Sequence, residues 1–246
     1  MDWWEKYFSN DYLKLYQYDE GESSREVSAV IRMLQLKEEK KVLDLACGFG
    51  RHSVIFAQKG YNVTGLDLSE SFLKKARELA DSLLVGVDWQ KGDMRDIPYE
   101  NEYDAIINMF TAFGFFDREE EDLKVLKAVY KALKPGGQFL MDVLNREFAL
   151  SNPFPRRWTS ENDSFMLEER FFDYFNSRLE LTNKLILKTG ELINASYSIR
   201  LYTLTEILDM FNHVGLVLTD VYGNFDGEIY SAKSPRMILV ASKEDK

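Results

Sequence analysis

The chain has 246 residues, 45% of them hydrophobic, and a formal net charge of −10 at pH 7. A length of that order supports a substantial core in ~1–2 domains, while the acidic balance argues against broad contact with nucleic-acid phosphates, which calls for clustered lysine and arginine. One cysteine and two histidines exclude an internal disulfide and a structural zinc site, and no run of ~18 apolar residues offers a membrane span.

Met1 to Lys6 has neither the basic flank nor the apolar stretch of a signal peptide, so a cytoplasmic location is expected. Aromatic residues crowd positions 2–18. Trp4, Tyr7, Phe8 and Tyr12 fall near helical spacing, which suits either a helix packed on the domain or a flap over 1–21 that brings Tyr7 and Tyr16 to a substrate. Ser23 and Glu26 read as a capping box, and Val27, Val30, Ile31 and Leu34 follow on one helical face.

Residues 41–45 form an apolar run suited to a buried strand, and the turn Ala46-Cys47-Gly48-Phe49-Gly50 leads into a helix over 51–59. Glycine leaves a ligand free to approach the backbone, and a helix N-terminus points N–H groups at it. A second apolar run, 61–66, ends in Asp67, an acid suited to the two hydroxyls of a ribose. That pairing marks a nucleoside-cofactor site. A dinucleotide fingerprint needs a third glycine where this chain has Ser53, so the turn falls short of a pyrophosphate site.

Ser69 caps a helix that buries Phe72, Leu73, Ala76, Leu79 and Leu83. A third strand covers 87–91 and ends at Gly92-Asp93-Met94; a fourth covers 103–109, with Asp104 at its edge. The segment 117–134 has acids in its first turn and lysines in its last, as a helix prefers, and Pro135-Gly136-Gly137 stops it ahead of a fifth strand at 138–143. This alternation predicts a parallel sheet with helices on both sides.

From Ser151 the pattern changes. Residues 152–157 break regular structure, and strand-like segments at 165–174, 178–188 and 195–202 predict an antiparallel β insertion over 151–202, either a substrate lid or a dimer surface. The first pattern resumes at Thr203, which forms a capping box with Glu206 ahead of Ile207, Leu208, Phe211 and Val214. Strands at 216–221 and 236–241 have no helix between them and should pair antiparallel. The expected fold is α/β: a doubly wound, mostly parallel seven-stranded sheet with an antiparallel last strand, built from 22–150 and 203–246, plus the small β insertion.

Asp44 through Gly50, Asp67, Gly92-Asp93-Met94 and Leu133-Lys134-Pro135-Gly136-Gly137, together with the antiparallel last strand, resemble the class I S-adenosylmethionine-dependent methyltransferases over 22–145 and 203–242. The resemblance implies S-adenosylmethionine as cofactor. It implies that Ala46, Cys47, Gly48 and Gly50 line its methionine part and that Asp44 orients its ammonium group. Asp67, with Leu68 beside it, takes the ribose; Asp93 and Met94 meet the adenine; Asn108 and Met109 flank the methionine end.

Ligands of parallel sheets bind at the carboxyl ends of the strands. That edge carries Asp142 and Asn145 and, in the loop 223–234, Phe225 and Tyr230, which join Tyr7 and Tyr16 as substrate candidates. His52 is the first candidate for a general base, whereas His213 reads as packing. Asp142 and Asn145 resemble the pair that holds magnesium in catechol-type enzymes, but no third ligand is evident and no metal is expected. The Asn-Pro-Pro-aromatic signature of amino-methylating DNA enzymes is replaced by Asn108-Met109-Phe110-Thr111. The expected reaction is methyl transfer to nitrogen, oxygen or carbon of a small molecule by in-line displacement. The alternatives are a non-catalytic cofactor-binding regulatory module and a nicotinamide-dependent oxidoreductase; Ser53 and the antiparallel last strand count against the latter.

Overall fold

A computed structural model describes residues 19–153, 155–161 and 164–244, so Tyr7, Tyr16 and the aromatic stretch 2–18 lie outside the described residues. The first described helix, α1, runs Glu20–Met33 and is capped by Asp19, whose Oδ1 accepts the Glu22 amide at 3.0 Å. The sequence places the cap at Ser23. That reading fails because the Glu26 carboxylate, which the capping box needs, is drawn away to Arg51 and His52.

Strand β1 (Lys41–Leu45), helix α2 (Arg51–Gln58) and strand β2 (Asn62–Asp67) follow as expected. Helix α3 (Glu70–Ser82) starts at the Ser69 cap, and strands β3 (Asp88–Lys91) and β4 (Tyr103–Asn108) come next. After helix α4 (Glu119–Ala132), strand β5 (Leu133–Leu144) already includes Pro135-Gly136-Gly137. Leu133 pairs with Tyr103 before the register shifts, so this segment is a strand start and not a stop between elements. A short helix that the sequence reading lacks, α5 (Arg146–Ser151), is capped by Asn145.

The insertion has four strands where the sequence suggests three: β6 (Arg156–Glu161), β7 (Ser164–Asp173), β8 (Arg178–Ile186) and β9 (Leu192–Arg200). They form a separate antiparallel sheet in chain order. Helix α6 (Leu204–Val214) carries the Thr203–Glu206 capping box, and strands β10 (Leu216–Tyr222) and β11 (Arg236–Lys243) close the chain's main sheet.

That sheet has seven strands in the order β10-β11-β5-β4-β1-β2-β3. β1 pairs parallel with β2 and β4, while β11 runs antiparallel to both β5 and β10. Both faces are covered. Val27, Val30, Val54 and Phe56 of α1 and α2 pack on one side against Val42, Ile107 and Leu140. On the other, Val125, Leu126, Val129 and Phe211 of α4 and α6 pack against Leu43, Phe139 and Met141. Burial on both faces is why β1 and β4 read as continuous apolar runs.

The second sheet is fixed to the end of the first. The Arg200 amide donates to Gly114 O at 2.8 Å and the Arg178 guanidinium to Phe116 O at 2.9 Å, both in the segment after β4. Among the described residues no helix is long and apolar enough to cross a membrane.

Candidate active site

The turn after β1 is built on left-handed backbone at Ala46, Gly48 and Gly50, with φ of 59°, 57° and 80°. The two glycines do different jobs. A Cβ on Gly50 would lie 2.4 Å from the Trp89 ring, so that glycine is demanded by packing; a Cβ on Gly48 would meet only Phe72 at 3.8 Å, and its bare face is open. The tip of β2 closes the turn. Asp67 accepts the Gly48 amide on Oδ2 and the Ser69 amide on Oδ1, each at 2.8 Å.

Burial pushes the Asp67 carboxyl up to about 6, against the pull of those amides. Asp44, 1% exposed, is likewise raised by burial, and the Ser53 hydroxyl donates to it at 2.6 Å. Ser53 therefore serves Asp44 at the very position where a dinucleotide site has glycine. Burial also raises the Cys47 thiol well above its ordinary range.

These groups open on a cavity of about 540 Å³. Of the residues expected to bind cofactor, Asp44, Ala46, Cys47, Gly48, Asp67, Leu68, Asp93, Met94 and Met109 line it. Gly50 stands behind the turn against Trp89. Asn108 also stands behind it: its Nδ2 donates to Leu45 O at 2.9 Å, and its buried Oδ1 has no partner. Asp93 is held by Arg95, which itself reaches Glu121 and lies 4.5 Å from the centre of the Phe116 ring. Burial works to raise the Asp93 carboxyl, but the Arg95 bonds prevail and hold it low.

His52 lines the cavity too, yet its Nε2 is 2.8 Å from Glu26 Oε2, which Arg51 also contacts. Burial would raise Glu26, and the bonds from His52 and Arg51 overcome it and leave the carboxyl lowered. The substrate candidates on the loop edge are not in the cavity wall. Asp142 is buried under a two-pronged bond from Arg236, both contacts at 2.6 Å, and accepts the Phe110 amide at 2.9 Å. Asn145 spends its amide nitrogen on Ser231 O and Ser234 O and takes Tyr230 Oη at 3.2 Å, and so clasps the loop 223–234. Phe225 packs beside α1, where Arg32 holds its carbonyl. With Arg236 on Asp142 and loop carbonyls on Asn145, this pair's chemistry is already consumed.

Other residues enter unannounced by sequence reasoning. Phe110 lies half-exposed in the wall between the guanidinium groups of Arg51 and Arg236, 5.1 and 5.7 Å from its ring centre. Met166, Glu168 and Arg170 of β7, Leu179 and Leu181 of β8, and Tyr197 and Ile199 of β9 supply the opposite wall. In β7 Met166, Glu168 and Arg170 take the cavity face while Leu167, Glu169 and Phe171 face out, an arrangement that residue type alone does not signal because alternation would turn the apolar side chains inward.

A parallel sheet with an antiparallel last strand, bearing an acid-braced glycine turn beside a cavity, defines the class I methyltransferase architecture. Comparison with known proteins agrees. Residues 42–137 match the family described as "Methyltransferase domain". A putative methyltransferase of Bacillus subtilis, YqeM, is 28% identical over 85% of this chain and 86% of its own length. Glycine/sarcosine N-methyltransferase of Aphanothece halophytica is 26% identical over 97% of this chain and 92% of its own. The solved structure of the CcbJ methyltransferase from Streptomyces caelestis shares the fold over 98% of each chain, with a TM-score of 0.86 at 21% identity. Residues 42–137 thus carry a methyltransferase domain on the class I fold, which makes the protein an S-adenosylmethionine-dependent methyltransferase with S-adenosylmethionine as cofactor.

Proposed function

We propose that this enzyme methylates a small molecule held beneath the second sheet and that the acceptor atom is an amine nitrogen. One observation carries the reading: a single cavity is walled on one side by Gly48 and Asp67 and on the other by Leu181 and Tyr197 of the insertion. Cofactor and acceptor then share one space, with the insertion as its lid.

The residues present fit the cofactor. Gly48 leaves its backbone bare, and each Asp67 oxygen, with one amide bound, keeps lone pairs for a ribose hydroxyl. In this reading Asp44 orients the ammonium group, Leu68 and Asp67 take the ribose, Asp93 and Met94 meet the adenine, and Met109 flanks the methionine end, all of them lining the cavity. When bound, S-adenosylmethionine supplies a methyl group on a sulfonium, already a strong electrophile. The protein's share is alignment and exclusion of water. Phe110, Phe115 and Tyr197 give that space aromatic faces, which attract a cationic centre.

Nitrogen is favoured on two counts. His52 Nε2 is occupied by Glu26, which suits an acceptor that arrives with a lone pair better than one that must be ionised in place. The relative matched over 97% of this chain, insertion included, is a glycine/sarcosine N-methyltransferase. In this reading His52 and Glu26 brace the turn and do not act as the base.

Thermal-shift measurement with S-adenosylmethionine, S-adenosylhomocysteine and NADH, followed by transfer of labelled methyl into a panel of amines, phenols and carboxylates, tests the proposal. Label in amines is the expected result; label confined to phenols or carboxylates would refute the nitrogen assignment.

A further inference from the structure

We propose that Glu168 and Asn183 form the polar end of the acceptor pocket and bind an amino alcohol, a small molecule whose amine stands next to a hydroxyl. The inference rests on the methyl-acceptor reading above and specifies its substrate class.

Glu168 lies directly opposite Asn183 in the β7–β8 register, and Asn183 lies opposite Ala195 in β9. Opposed residues project to the same face. On that face Met166, Glu168, Leu181 and Tyr197 line the cavity, and Asn183, beside Leu181 on β8 and opposite Glu168, is the next residue of the row just behind the lining. Glu168 is 6% exposed; its Oε1 accepts Arg170 Nε at 2.8 Å and stands 3.6 Å from Arg157 Nη2. Among the described residues no hydrogen bond reaches Oε2.

Asn183 is stranger. It is 1% exposed, and neither its Oδ1 nor its Nδ2 has a partner. Its row on β8 is otherwise Leu179, Leu181 and Leu185, where another leucine would pack without penalty. A buried amide with both ends unmade is costly to keep unless a ligand completes it. The chemistry names the ligand. An anionic Oε2 accepts from one N–H of the neutral amine, whose lone pair stays free for the methyl group, and an amide, donor and acceptor at once, complements a hydroxyl, which is also both. Across a strand pair such side chains start about 4.5–5.5 Å apart, a span that groups on adjacent carbons can bridge. A carboxylate in place of the hydroxyl would face the charge of Glu168.

The test uses the full chain saturated with S-adenosylhomocysteine and thermal-shift titrations of 2-aminoethanol and glucosamine, with n-propylamine and glycine as controls. Both amino alcohols are expected to bind about tenfold tighter than n-propylamine or glycine, the scale of a hydrogen bond to a charged or buried group. Asn183→Leu should abolish that preference while raising the melting temperature of the ligand-free protein, which separates lost recognition from lost folding. Glu168→Gln should weaken every amine. Equal binding of n-propylamine and the amino alcohols, tighter binding of glycine, or wild-type preference in Asn183→Leu would each overturn the proposal. The shift produced by S-adenosylmethionine alone reports on the methyltransferase reading independently.

Discussion

The Gly48 amide donates to Asp67 Oδ2 at 2.8 Å, joining the turn after β1 to the tip of β2 across 19 residues of sequence. The same carboxylate therefore shapes the turn and faces the cavity. Asp67→Ala should weaken S-adenosylmethionine by about 10–100-fold, the range for hydrogen bonds to a charged group. Asp67→Asn should lose less, because an amide oxygen can still brace Gly48. Calorimetric titration of both variants checks the order.

Because burial lifts Asp67 from an ordinary 3.8 to about 6, its protonation falls in an accessible range. Ribose hydroxyls donate to the ionised form, so cofactor affinity should hold above pH 6 and decline below it. The ligand-free protein responds in the opposite sense. The folded chain binds this proton more tightly than the unfolded chain, so the group's contribution to stability declines as pH rises from 3.8 through 6. Melting curves at pH 5 and pH 7, with and without cofactor, should show the cofactor-induced shift growing with pH, and Asp67→Asn should flatten that trend.

Gly48 and Gly50 both have positive φ, and alanine at either costs about 1 kcal/mol for left-handed backbone. At Gly50 the new methyl group also strikes the Trp89 ring and Ala76, adding about 1–3 kcal/mol of overpacking. At Gly48 it enters open space on the cavity side. Gly50→Ala should therefore lower stability more, measured by urea unfolding, while Gly48→Ala should chiefly lower cofactor affinity.

The strand–turn–helix around Gly48, the Ser69 and Thr203 caps and the antiparallel β10–β11 pair were legible because each depends on neighbours close in the chain. Where partners are distant, the same residue types misled. Asp142 and Asn145 have the chemistry of ligands, but Arg236 lies 94 residues from the first and the Ser231 and Ser234 carbonyls 86 and 89 from the second. Nothing local reveals that these distant partners have already claimed them. Strand β6 was hidden for a different reason. It is an edge strand opening just after Pro155, and exposed Arg156, Arg157 and Ser160 blur the alternation that marks a strand.

The Asp142–Arg236 pair supports a strained wall. Phe110 and Thr111 both have φ near +60°, and the Phe110 amide is fixed by Asp142 while Arg236 reaches Thr111 Oγ1. Removing only Arg236, as Arg236→Met, should cost about 3–5 kcal/mol because Asp142 is left buried and unpaired. Arg236→Lys should not restore stability, since an ammonium group cannot make the two-pronged contact. The double variant Asp142→Leu/Arg236→Met should recover part of the loss, and a double-mutant cycle in urea measures how much.

A second buried acid gives a sharper pH test. Asp122 accepts Tyr202 Oη at 2.8 Å and the Gly114 amide at 3.2 Å, which ties α4 to the segment leaving the second sheet. Burial pushes the Asp122 carboxyl up to about 6, and burial followed by the Asp122 charge raises the Tyr202 phenol as well. Tyr202→Phe removes a donor from a carboxylate that water cannot reach. The cost at pH 7 should be about 1–3 kcal/mol, the penalty for an unpaired buried group. At pH 5 Asp122 is protonated in the folded chain, a neutral carboxyl needs the phenol less, and the cost should shrink. Asp122→Asn should erase that pH dependence, whereas a Tyr202→Phe loss equal at both values would mean the carboxyl keeps one protonation state across this range.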